Sequence, residues 1–257
     1  MKRSLRLLLV GWFLHCKMLS RSSFNSILVV IYPMFFATVA FFLFREGSPD
    51  ALLYAALGAS VMGIWGSVST AAGGALQRER WHGTLELLVA APANFSLVML
   101  PVTLAMSTIG IYSMAATLLW GRFVFGVALH VEHLLLFCLA VVVTVVAIGM
   151  CGFLLAVSFV RYRTAWALGN LLEYPVWLIC GFLVPLSLLP GWVRPISWVL
   201  APTWGMSAIR ESALGGGQPL RDIGLCAGIG LAYMLIGVLI VGRLLEAARA
   251  RATLSLT

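Results

Sequence analysis

The sequence predicts an all-α, polytopic membrane protein: six transmembrane helices, an N-terminal interfacial helix, and re-entrant outer helices between spans five and six. Three observations carry that expectation. Of its 257 residues 61% are hydrophobic and 10% charged, against roughly 25% charged in soluble domains. A mean hydropathy of +1.02 leaves more apolar surface than one water-facing globule can hide, so much of it must face lipid. The apolar residues also come in near-continuous runs of roughly 18 or more, without the alternation of barrel strands. In lipid, where each backbone amide needs an internal partner, such runs are helices.

The elements follow in chain order within a single transmembrane domain, 1–257. In the first 25 residues Lys2, Arg3, Arg6, Lys17 and Arg21 alternate with Leu7, Leu8, Trp12, Phe13 and Leu14. That suits an elbow helix lying along the cytoplasmic interface. A cleaved signal peptide is disfavoured, because Arg6 interrupts the apolar run and no small-x-small site precedes Ser20. Spans are expected near 26–44, 52–75, 96–120, 132–160, 170–189 and 222–243, each close to the roughly 20 residues that cross a hydrocarbon core.

Six spans leave both termini on one side, and the basic residues say which. On that side lie Lys2, Arg3, Arg6, Lys17, Arg21, Arg78, Arg80, Arg161, Arg163, Arg243, Arg249 and Arg251, 12 of the 17. Arg45, Arg122, Arg194, Arg210 and Arg221 fall opposite. The positive-inside rule therefore places the termini in the cytoplasm of a cell (inner or plasma) membrane. The net charge of +8 follows from topology and anionic lipid, so nucleic acid is not an expected partner.

Chemistry-bearing motifs are scarce. Cys16, Cys138, Cys151, Cys180 and Cys226 are never spaced C-x-x-C and read as packing residues. Only Lys2 and Lys17 are lysines and neither follows glycine, so the G-x-x-x-x-G-K-[ST] phosphate loop is absent. There is no G-x-S-x-G elbow or H-E-x-x-H pair either. The chain is expected not to be an enzyme. His130, Glu132 and His133 read as a solvated boundary, and no metal is expected.

Ion-coupled carriers place ionisable groups at mid-membrane, and here the spans are almost free of them. Glu173 is the exception. It reads either as an N-x-x-E cap with Asn170 at the start of the fifth helix, or as a gate or substrate group paired with Arg161 or Arg163.

Two segments stand out on the soluble sides. Gln77 to Asn94, QRERWHGTLELLVAAPAN, reads as an amphipathic helix within a cytoplasmic loop, 76–95, ended by Pro92. From 185 to 221, Pro190, Pro195 and Pro202 separate Trp192, Trp198 and other large apolar residues. Short broken helices that re-enter the outer leaflet and cap a translocation path fit that pattern. Gly215, Gly216 and Gly217 read as a flexible exit from it. Small residues in the second span, among them Gly58, Gly63 and Gly66, and Gly224 with Gly228 in the last, suit close helix contacts.

These residues carry a family resemblance. Glu79, Gly83, Thr84, Glu86, Leu88 and Pro92 resemble the E-x-x-x-G-T-x-E-x-L motif and following proline of permeases in the type 2 family of ATP-binding-cassette (ABC) exporters. EYP at Glu173, followed by GFLVPLSLLPGWVRPISWVLAPTWGMSAIRESALGG, is similar to that family's fifth span, Pro-rich outer turn and alanine-Pro then Arg ending. Ala201 stands where asparagine is common. The resemblance implies a permease subunit exporting an amphiphilic or hydrophobic substrate such as a drug, lipid or lipid-linked glycan. It implies two copies of an ABC ATPase subunit that carry ATP and Mg, with no cofactor in this chain, and a second permease in a homo- or heterodimer. Arg78, Glu79, Arg80, His82, Gly83, Thr84 and Glu86 become the ATPase-docking residues of a coupling helix. An ion-coupled carrier or channel is the alternative, distinguished by transport that survives loss of any ATPase.

Overall fold

The computed structural model describes residues 2–21, 23–44, 49–81, 95–158 and 165–251, and these are helical with short connections and no strand. The helices are α1 (Lys2–Arg21), α2 (Ser23–Leu43), α3 (Pro49–Trp81), α4 (Ser96–Val124), α5 (Leu134–Ser158), α6 (Ala165–Ile179), α7 (Val193–Val199), α8 (Ala201–Leu214) and α9 (Pro219–Arg251), with a 3-10 turn at Leu186–Leu188.

The centre of the bundle is α3. Leu57, Val61, Met62, Ile64, Trp65 and Val68 are fully or almost fully buried along it, and it packs against α2, α4, α5, α6 and α8. Glycine permits that crowding. A methyl on Gly110 of α4 would lie 2.7 Å from the Ile64 Cα, and one on Gly63 would run into the Ser113 side chain. The sequence expectation of close contacts therefore holds within the chain for α3. Gly224 and Gly228 have nothing within 4 Å of a built methyl among the described residues.

Helix α1 packs on the bundle by one face, and of the apolar residues singled out in the sequence Leu8 and Trp12 lie on it while Leu7, Phe13 and Leu14 are exposed. Leu8, Gly11, Trp12, His15, Cys16 and Leu19 form one partly covered stripe, while Leu5, Leu9, Phe13 and Met18 are exposed. The stripe meets α4, where Trp12 Nε1 donates to Thr108 Oγ1 at 3.1 Å and Gly11 lies against Pro101.

Among the described residues four helices are long and apolar enough to cross a membrane: Asp50–Thr70, Ser96–Val124, Leu134–Ser158 and Pro219–Arg243. They coincide with expected spans two, three, four and six. The first expected span lies in α2, with a shorter apolar stretch at Pro33–Leu43.

The fifth expected span requires correction. Its helix runs Ala165–Ile179, not 170–189. Phe182 N donates to the Trp177 carbonyl at 3.0 Å and Gly181 N to that of Leu178 at 3.1 Å. Gly181 takes φ +73. This is the Schellman ending, in which a left-handed glycine closes the last turn. Pro185 follows, so the apolar run continues but the helix does not.

Candidate functional site

Beyond α6 the chain builds a cap from the 3-10 turn, α7 and α8. Its pieces are too short to be held by their own hydrogen bonds, and side chains tie them down. Ser197 Oγ donates to the Ile179 carbonyl at 2.7 Å. Tyr233 of α9 donates to the Val199 carbonyl at 2.6 Å and accepts from Ala201 N at 3.4 Å. Trp204 Nε1 donates to the Trp198 carbonyl at 2.9 Å. Among the expected cap residues, Trp192 and Trp198 are 71% and 58% exposed, so both indoles project outward from the cap. Pro195 lies in α7, Pro202 in the first turn of α8, and Pro190 in the turn before α7.

The deepest tie is Arg210 of α8, 8% exposed. Its Nη1 donates to the Gly181 carbonyl at 2.6 Å, and its Nη2 to those of Phe182 at 2.6 Å and Tyr54 at 3.4 Å. Its Cζ stands 3.3 Å from the Tyr54 ring centroid. A guanidinium suits this position, because its planar fork matches two adjacent carbonyls and its charge faces the negative end of α6. Nε alone finds no acceptor among the described residues. On the facing side Gly58 is obligatory in size, since a methyl there would collide with the Phe182 carbonyl.

Sequence reasoning missed this clamp by counting Arg210 among outer-loop charges. The available signal was an arginine that directly follows the uncharged, largely apolar run from Ala201 to Ile209.

The end of α8 is also fixed by geometry. Gly215, Gly216 and Gly217 take φ of 79, 96 and 62, values that glycine adopts without strain. Glu211 accepts from Gln218 N at 2.7 Å and from Ser207 Oγ at 3.2 Å. Burial first, and then the nearby Asp222, push its carboxyl above the ordinary range. Glu132 N and His133 N donate to the carbonyls of Ala213 and Ser212, which joins the start of α5 to α8.

Glu173 does not cap its helix. It lies eight residues beyond Ala165, two turns inside α6, where backbone donors are already used. It is 7% exposed and turned toward α3, where a methyl on Gly66 would lie 2.8 Å from its Oε1. No hydrogen bond or ion pair to it is formed by a described residue. Arg161 and Arg163 lie outside the described residues, so neither is placed beside it. One turn on, Trp177 meets Phe36 of α2 and Tyr174 edge to face, each at 5.0 Å between ring centroids.

Of the docking residues, Arg78, Glu79 and Arg80 lie in the last turn of α3. His82, Gly83, Thr84 and Glu86 are outside the described residues. The candidate span of α3 ends at Thr70 and the helix continues to Trp81, about 16 Å further at 1.5 Å per residue.

Residues 7–214 match the model of the ABC-2 type transporter family. The chain belongs to that family. The match takes in α2 to α8, and with them the loop after α3, the Glu173 helix and the Arg210 clamp. No curated protein matches the chain. ABC-2 membrane domains are permeases that work with an ABC ATPase, in keeping with the long apolar helices of this chain.

Proposed function

We propose that this chain is the permease subunit of an ABC exporter, moving an amphiphilic or hydrophobic substrate out of the cytoplasm on energy supplied by a separate ATPase. The observation that carries the reading is the family match joined to the course of α3. One unbroken helix links the centre of the bundle to the charged segment 77–94. A rigid helix transmits a displacement at one end to the other, since its backbone bonds are internal and its core side is close-packed.

In this reading both termini and the 76–95 loop are cytoplasmic, and six passes cross the membrane, with α2 and α6 completing the four long spans. Arg78, Glu79, Arg80, His82, Gly83, Thr84 and Glu86 dock on the ATPase, of which two copies bind ATP and Mg. Polar residues suit that surface, because a contact that shifts during each cycle favours reversible charged pairs over a dry apolar seam. A second permease copy, identical or related, completes the pathway. The cap, carrying Pro190, Trp192, Pro195, Trp198 and Pro202, re-enters the outer leaflet and closes the path from outside, while α1 lies at the inner interface.

The test is to purify the chain from its native membrane with its associated ATPase and to compare Glu86→Ala and Gly83→Pro. Stimulation of ATP hydrolysis by the permease should fall about tenfold, the size of a lost charged contact of roughly 1.4 kcal/mol, with membrane insertion unchanged. Coupling left intact, or cargo transport that persists without any ATPase, overturns the reading.

A further inference from the structure

The proposed function leaves the cargo's chemistry open, and the surroundings of Glu173 narrow it. A carboxylate at span depth is costly to keep without a partner. Glu173 is retained there with no described donor, pressed against the bare backbone of Gly66. One turn along α6 from Glu173, Trp177 forms an aromatic wall with Phe36 and Tyr174. An anion backed by aromatic rings is the chemistry that receives an organic cation, through ion pairing at short range and attraction to ring faces.

The wall opens outward onto an apolar surface. Phe35 is 64% exposed and Tyr174 52%, so an alkyl chain has area to lie against where the aromatic cluster reaches the surface. Along α3, Gly66 is four residues from Thr70 and sixteen from Asp50, about 6 Å and 24 Å at 1.5 Å per residue. The carboxylate thus sits toward the end of α3 that leads to the docking loop, the side from which an exporter loads.

We propose that Glu173, with Trp177, Tyr174 and Phe36, forms the recognition site for a cationic amphiphile, an alkyl chain bearing a quaternary or protonated amine. The proposal rests on the exporter reading for the transport step after binding, but the recognition step belongs to this chain alone. A neutral amphiphile gains nothing from the carboxylate, and an anionic one is repelled by it.

The full chain in phosphatidylcholine nanodiscs is titrated with dodecyltrimethylammonium and, at pH 8, with its near-isosteric neutral counterpart dodecyldimethylamine N-oxide. Wild type should prefer the cation by about tenfold, the scale of one partly desolvated charge pair. Glu173→Gln, which keeps the side chain's shape, should reduce that preference to about one, and Glu173→Asp should restore most of it. Equal binding of the two probes by wild type, or an undiminished preference in Glu173→Gln, overturns the proposal. In vesicles carrying the chain with its ATPase, a preserved cation preference without ATP-driven movement overturns the exporter reading and leaves the recognition site standing.

Discussion

Arg210 and Glu173 are both buried, both packed on α3, and treated in opposite ways by the fold. Arg210 reaches α3 at Tyr54 and Gly58 and finds carbonyls at the end of α6 for both its Nη atoms. Glu173 reaches α3 at Gly66 and finds glycine backbone, with no donor among the described residues. A buried charge whose fork is engaged holds elements together, whereas a buried charge without a partner costs stability and is available to something that arrives later. The difference assigns the first to architecture and the second to binding.

That contrast can be broken by measurement, most directly in the thermal unfolding of detergent-solubilised protein followed by tryptophan fluorescence. Arg210→Met should show the largest loss, about 3 kcal/mol, because the Gly181 and Phe182 carbonyls lose strong charged donors inside a packed cap. Arg210→Lys should recover only part of it, since an ammonium cannot span both carbonyls as a planar fork does. A loss below about 1 kcal/mol for Arg210→Met would mean that the cap is held by other contacts.

Gly58→Ala should follow, at about 1–3 kcal/mol, by forcing the Phe182 carbonyl away from the guanidinium. Its unfolding midpoint should fall together with that of Arg210→Met, and the double variant should lose less than the sum, as expected for groups in contact. Tyr233→Phe should cost about 1 kcal/mol, the size of the single bond to Val199 that it deletes.

Glu173→Gln should be the smallest, within about 0.5 kcal/mol of wild type or slightly more stable, because it removes an unpaired charge without removing a described contact. Combined with Arg210→Met its effect should add, as the two sites lie about 12 Å apart along α3. A large destabilisation by Glu173→Gln would make the carboxylate a structural group and merge the two cases.

Much of the helical plan is legible in the residues. Runs such as Leu134–Ser158 admit one solution in lipid, a helix. The fifth span departs from expectation because hydropathy does not register the sign of φ. Residues 180–189 are as apolar as those before them, and only the left-handed backbone at Gly181 ends the helix there. The cap reading of Glu173 fails for a related reason. Asn170 is a plausible start signal by type, yet the helix already runs from Ala165, directly after Thr164, a residue type that also favours helix starts. Gly215 to Gly217 read as flexible, but each supplies a backbone angle that the turn into α9 uses.

Composition and spacing alone settled that this is a helical membrane protein, since apolarity and run length are properties of the chain in order. Which charges are satisfied was decided only in three dimensions. Arg210 meets the Tyr54 carbonyl across 156 positions of sequence, and Glu173 meets Gly66 on a different helix. Partnership of a buried charge depends on what packing brings to it, and no local pattern encodes the far side of that contact.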